Sequence, residues 1–417
     1  MPHDSDVLVV GAGLAGLACA IRLVDAGLDV QVLEGSDAVG GRVRTDRADG
    51  FLLDRGFQVL STAYPEARRV LDYERLDLRR FDRALDLYSD GTHTHLADPF
   101  REPATLLATV RAQIGGVAAL AALGVYGARA AVLPARALRA APDLPAREAW
   151  RRNAISDATV EKLLRPFFAG VLLEEEMTTS RRFVDLMTRM FARGSSAVPA
   201  QGMQAIPHQL ADRLPTSALH LGVVARRVRG RRVETDLGSF SARAVIVATD
   251  GKAAAQLLPG QVDEPGWKGV TTVYHAAERW RSRATLALDT ESSPVNNTVV
   301  MTAAAPTYSS NGRALVQTSL VHGAHEGNVA EEAVRRRLAV LYGTSTASWE
   351  HVATYAIRHA LPSMTAPHVF RKPVRAVSDG EPVYVCGDHR DTSSIQGALV
   401  SGRRAAEAVL TDLGQPT

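Results

Sequence analysis

The chain has 417 residues, 46% hydrophobic and 22% charged, with a formal charge of +3 at pH 7; this is core enough for two or three domains and the balance of a soluble globular protein. Only four of the 48 basic residues are lysines and no basic block alternates with aromatics, which argues against a nucleic-acid partner. Two cysteines, Cys19 and Cys386, allow neither a disulfide framework nor a CxxC metal site, and both read as buried core thiols in a reducing, cytoplasmic setting.

The first predicted element is the β-branched run Val7 to Val10. It ends in Gly11-Ala12-Gly13-Leu14-Ala15-Gly16, and an apolar helical pattern follows. A second apolar run, Val30 to Leu33, ends in Glu34-Gly35. Gly11 permits a tight turn, Gly13 lets the backbone approach a pyrophosphate, and Gly16 lets helix and strand pack closely. The helix N-terminus offers free N–H groups and the positive end of the dipole to phosphates. Glu34 stands where a carboxylate accepts an adenosine ribose 2′-OH and disfavours a 2′-phosphate. Strand, glycines, helix, second strand and acidic end at these spacings form a dinucleotide-binding fingerprint. The run ending Ala18-Cys19-Ala20 imitates a signal peptide, but its leading residues Asp4 and Asp6 are acidic and the fingerprint accounts for it.

Gly40-Gly41-Arg42 follows, within reach of the same pyrophosphate. Its glycines allow a second close backbone approach, and Arg42 can pair with phosphate. Next comes Phe51-Leu52-Leu53-Asp54-Arg55-Gly56-Phe57-Gln58. Taken with the fingerprint, these segments resemble the signature of the flavin amine oxidase, protoporphyrinogen oxidase and phytoene desaturase superfamily. The resemblance implies non-covalent FAD, with Gly56, Phe57 and Gln58 running toward the flavin. It also implies an α/β fold, α+β overall: a Rossmann-like FAD-binding domain of the glutathione-reductase type, with an inserted substrate domain of mixed sheet and helices.

Residues 81–195 read as mainly helical, punctuated by prolines. Within them Ile114 to Tyr126 is too short and glycine-rich to span a bilayer. A buried helix is the expectation, with a helix lining an apolar tunnel or touching a membrane surface as the alternative. Glu174-Glu175-Glu176 reads as a solvated acidic turn rather than a cation site. Pro199 to Leu210 resembles the stretch where the superfamily's chain re-enters the FAD domain. Leu219 to Val228 resembles its adenine-reading strand, with Ala225 at the backbone contact. Ala244 to Thr249 is apolar throughout, as in a buried parallel strand.

Near the C-terminus a strand ends at Gly387-Asp388, and Gln396-Gly397-Ala398 opens a helix. By resemblance, Asp388 accepts a ribityl hydroxyl, and the amides of Gln396, Gly397 and Ala398 face the flavin pyrimidine oxygen. The order of elements predicts an FAD-binding domain stitched from residues 1–80, 196–265 and 356–417. A substrate domain is expected from 81–195 and 266–355.

The superfamily's amine oxidases often carry a lysine about ten residues before a tryptophan, near flavin N5. Here Trp280 is the candidate tryptophan, Val270 occupies that position and Lys268 lies two residues out. Residues 371–381 hold no aromatic of the kind that cages an amine. These absences favour desaturase-like or porphyrinogen-oxidase-like relatives working on larger apolar substrates. His359 and Tyr274 are the catalytic candidates, with His275, His389 and Arg390 behind them. No nucleophile elbow, HExxH or metal cluster appears. The expected activity is therefore hydride transfer from a hydrophobic or amine-bearing small molecule to flavin N5. A flavin-dependent isomerase without net redox, or a non-catalytic FAD-binding protein, is the alternative. The expected partner is an apolar small molecule, with peripheral membrane contact possible and the oligomeric state open.

Overall fold

The computed structural model describes residues 5–97, 114–278, 282–291, 293–321 and 330–416. Two large sheets organise it. In the first, parallel strands run in the order Leu219–Leu221, Val30–Glu34, Ser5–Val10, Gly238–Val247 and Glu381–Val385. Val7 to Val10 are buried, as a β-branched run covered on both faces must be. The sheet therefore combines strands from the start, the middle and the end of the chain. Strands Ala225–Arg229 and Arg232–Thr235 extend this sheet as an antiparallel meander.

The first helix, Leu14–Val24, lies under this sheet and is buried along most of its length. Against it packs the last helix, Ile395–Asp412. Their backbones nearly touch: a Cβ on Gly402 would stand 2.1 Å from the Ala15 carbonyl oxygen. Only glycine fits there. Cys19 and Cys386 are free and buried in this region.

The second sheet runs Glu350–Pro362, Trp267–Ala277, Ala314–Leu320, Asn297–Val300, Leu286–Asp289, Ala84–Ser89 and Thr92–Ala97. The helix Glu331–Tyr342 packs on one face through Val334, Leu338 and Leu341 against Val273, Val300 and Val316. The other face, with Tyr274, Ala276 and Val299, joins the main core. Strand Glu350–Pro362 lies wholly in this sheet, so it passes the 355/356 boundary expected from sequence.

The expectation of a mainly helical 81–195 needs correction at its start. Ala84–Ser89 and Thr92–Ala97 form a hairpin in the second sheet. Asp90 and Gly91, both at positive φ (51° and 72°), make the turn that matches strand twist. Beyond it the described residues from 114 onward are mainly helical, including Gly116–Val132 and Arg181–Arg193. Among the described residues no helix is long and apolar enough to cross a membrane.

Candidate active site

The fingerprint folds into an open cradle. Gly13 caps the first helix without a side-chain hydrogen bond, and the first turn holds no acid, so its N–H groups are free to bind an anion. Gly16 packs as expected: its Cβ would lie 2.0 Å from the Gly11 carbonyl oxygen. At Gly13 a Cβ would meet nothing within 4 Å, because that side of the backbone faces a cavity. Gly41, at φ +60°, would place its Cβ 3.5 Å from the Gly13 Cα. The two glycine segments thus leave between them a space that side chains would fill.

Glu34 is held by three donors: Ala12 N (2.7 Å), Ser36 N (2.9 Å) and Ser36 Oγ (2.7 Å). This fixes its carboxylate at the cavity wall beside Gly35. The adenine-side strand breaks earlier than the sequence suggested. At Gly222 (φ +72°) the chain leaves the sheet, and Val223 and Val224 line the cavity before the next strand begins at Ala225, which lines it too.

The cavity is continuous and measures about 1410 Å³, above the ~300–1,000 Å³ of ordinary ligand pockets. At one end lie Gly11, Gly13, Leu14, Ala15 and Glu34, with Gly40, Gly41 and Arg42 next to them. Gly387, Asp388, Phe57, Gln58 and Ala398 follow. Arg42 does not stand free to meet a phosphate. Its guanidinium donates to Asp388 Oδ1 (2.6 Å) and the Ala360 carbonyl (3.0 Å), and the same pair engages the carboxylate expected to hold a ribityl hydroxyl.

Ser394 caps the last helix by accepting from Gly397 N (3.0 Å), and Ala398 N donates to the Ser394 carbonyl (2.9 Å). These amides are therefore consumed inside the helix start. The open donors of that first turn are the N–H groups of Ile395 and Gln396. The Gln396 side chain turns away and accepts from Glu66 N (2.9 Å). Gly56 (φ +106°) serves the turn before Phe57 rather than the wall.

Beyond the flavin-side residues the cavity opens into an apolar chamber that includes Phe81, Leu96, Leu123, Phe167 and Leu286. Leu120, Leu123 and Gly124 of Gly116–Val132 line it, while Val117, Val125 and Val132 of that helix are exposed. The helix expected to be buried thus lines the tunnel with one face and meets solvent with the other.

Neither catalytic candidate reaches this space. His359 alternates outward from its strand, is exposed and stacks on Trp267 with ring centroids 4.9 Å apart. Tyr274 is fully buried, and its hydroxyl donates to the Asp54 carbonyl (2.8 Å). His275 pairs with Glu331 at 2.9 Å away from the cavity. His389 is buried with no hydrogen bond to either ring nitrogen, and burial pushes its pKa down to about 4. Arg390 donates to the Pro373 carbonyl.

Glu174 is no solvated turn. It is 3% exposed and accepts from Thr179 N (2.7 Å), Thr178 Oγ1 (2.9 Å) and Lys268 Nζ (2.9 Å). Burial opposes its ionisation, but the Thr179 contacts and Lys268 hold its carboxyl below the usual range. Lys268 is thereby engaged at a register shift in its strand; Trp280 lies outside the described residues. Among the described residues no cluster of three metal-ligating side chains occurs.

The family model of the flavin-containing amine oxidoreductases matches residues 14–410. Over 94 residues the chain is 42% identical to putrescine oxidase of Kocuria rosea, a match covering 22% of this chain and 18% of that protein. Over 66 residues it is 42% identical to protoporphyrinogen oxidase 2 of Arabidopsis thaliana, covering 16% and 13%. These stretches span under a fifth of the curated relatives' length. The whole fold resembles cyclohexylamine oxidase from Brevibacterium oxydans (TM-score 0.72, 19% identity, 99% and 100% covered). It also resembles an oxidoreductase from Methanosarcina mazei (TM-score 0.72, 17% identity, 96% and 100% covered). The chain belongs to the flavin-containing amine oxidoreductase family, and its cofactor is FAD.

Proposed function

We propose that this member of the family oxidises a predominantly apolar small molecule in the chamber that adjoins its FAD site. The observation that carries the reading is the single cavity running from the Gly11–Gly13 cradle to Phe81, Phe167 and Leu286. When bound, FAD supplies a two-electron hydride acceptor at N5. Gly13 and the first-helix amides take the pyrophosphate, and Glu34 takes the adenosine ribose. Arg42 and Asp388 fix the loop on the riboflavin side. The free amides of Ile395 and Gln396 face developing negative charge at the helix start, where the dipole favours it. The aromatic and aliphatic chamber excludes water and orients the substrate by shape. Neither a lysine nor a histidine stands among the described residues of the wall, whose acidic residues are Glu34, Asp82, Asp250 and Asp388.

The glutathione-reductase-type layout of the FAD domain belongs to this proposal: the parallel sheet with an antiparallel meander supports it. The test is anaerobic. Purified flavin-loaded protein is mixed with polyene, porphyrinogen, apolar amine and diamine candidates, and loss of the visible flavin band is followed. Bleaching by an apolar candidate is expected. Bleaching only by small charged diamines would overturn the apolar reading.

A further inference from the structure

The second sheet carries a polar row on its core-facing side. Thr272, Ser319 and Asn297 stand directly opposite one another on three adjacent strands. Gln317, two residues from Ser319, faces the same way and donates to Ser319 Oγ (3.0 Å). All four are between 0% and 2% exposed. Among the described residues Thr272 Oγ1, Asn297 Oδ1 and Gln317 Oε1 have no hydrogen-bond partner. Leaving three such atoms unpaired in one patch is costly, and their apolar surroundings offer no compensation.

The row ends at the cavity. Asn297 is part of the chamber wall, near Leu286 and Gly170. A Cβ on Gly170 would lie 2.3 Å from Asn297 Nδ2, so glycine at that helix position is what makes room for the amide. The terminal torsion of asparagine is broad and two-fold, so the amide can turn either its oxygen or its NH2 toward the chamber. Against Leu96, Phe167 and Leu286 it is a polar group that a bound molecule would meet, with Asp82 and Arg83 elsewhere on the same wall.

We infer that Asn297, backed by Ser319, Thr272 and Gln317, determines specificity by hydrogen-bonding a hydroxyl, amide or amine on an otherwise apolar substrate. The inference rests on the apolar-substrate reading above. It assigns the substrate class more narrowly: a molecule with one hydrogen-bonding group set into hydrocarbon or aromatic bulk. A site built to pair such a group discriminates against the analogue lacking it, because the amide is then left unpaired.

The test uses the flavin-loaded protein and two probes of equal shape, 2-naphthol and 2-methylnaphthalene, with binding followed by naphthyl fluorescence anisotropy. Wild type is expected to prefer the naphthol by about fivefold to thirtyfold. Asn297→Leu keeps the volume and removes the preference while retaining or tightening methylnaphthalene binding. Asn297→Ala, checked for retained flavin and an unchanged melting profile, is expected to lose the preference as well. Equal binding of both probes by wild type, or a preference that survives in both variants, would overturn the assignment of Asn297 and leave the apolar chamber standing. That second result would mean that the row is satisfied by trapped water alone. Failure of wild type to bind either probe would overturn the apolar reading and this inference together.

Discussion

Asp54 is tied to the second sheet through Tyr274 and gives a pH-dependent prediction. It is 1% exposed and accepts from Thr45 Oγ1 (2.5 Å), Met203 N (2.9 Å) and Tyr308 Oη (2.7 Å), while its carbonyl accepts from Tyr274. Burial raises its carboxyl to about 6, against hydrogen bonds from Thr45, Met203 and Tyr308 that lower it. A raised carboxyl pKa means that the folded state holds the proton more tightly than the unfolded chain. Its contribution to stability is therefore greatest below the unfolded pKa and declines as pH rises through about 6. From pH 5 to pH 7 the loss is about 1.3 kcal/mol for these two pKa values.

Asp54→Asn keeps one oxygen for Thr45 and Met203 and turns its NH2 toward the Tyr308 hydroxyl oxygen, so the variant should fold. It lacks the titration. The measurement is the melting temperature of wild type and Asp54→Asn at pH 7, 6 and 5, at fixed FAD concentration. Wild type should gain on the variant as pH falls, by roughly 1–2 °C for a chain of this size. A gap that stays constant, or narrows, would show that Asp54 titrates in the ordinary carboxylate range and that the argument from its burial is wrong.

Four further outcomes are expected. Glu34→Ala removes a charged acceptor for buried ribose hydroxyls and should weaken FAD by about 10- to 100-fold, read by flavin occupancy and by titration of the stripped protein. Gly13→Val sets a branched side chain into the phosphate cradle; it should abolish flavin binding while circular dichroism stays close to wild type. His359→Ala, exposed and outside the cavity, should retain turnover within about twofold, whereas Tyr274→Phe should cost about 1 kcal/mol in stability with turnover unchanged; a tenfold fall in the rate of flavin reduction in either would return that residue to the chemistry.

The cofactor cradle was legible in the sequence because phosphate approach forces glycine at fixed positions, and Gly11, Gly13, Gly16, Gly40 and Gly41 carry that constraint locally. The hairpin of Ala84–Ala97 was legible too, in two alternating runs around Asp90-Gly91, but the helical stretch beyond it dominated the reading. Other features depend on contacts that no local window contains. Glu174 is buried because Lys268 and Thr179 close over it. His359 faces outward because of the phase of a long strand with register shifts in its partner. The polar row of Thr272, Ser319 and Asn297 exists only once three strands are in register. Arg42, expected at phosphate, finds Asp388 from the far end of the chain.

The contact of Gly402 with Ala15 has a consequence for how the protein is made. Strand Ser5–Val10 leaves the ribosome well before Gly238–Val247, and one of its edges stays open until that partner has emerged. One face of the first helix stays uncovered until Ile395–Asp412 arrives. Parallel pairing across such distances forms slowly, and open strand edges invite aggregation while they wait. The cavity proposed to hold FAD is lined by residues from Val10 to Ala398, so FAD can be captured tightly only once both ends of that span have folded. Once captured it stabilises the folded form by mass action. Flavin colour thus reports that the helix Ile395–Asp412 has docked, while a colourless chain is either unfinished or folded without its cofactor.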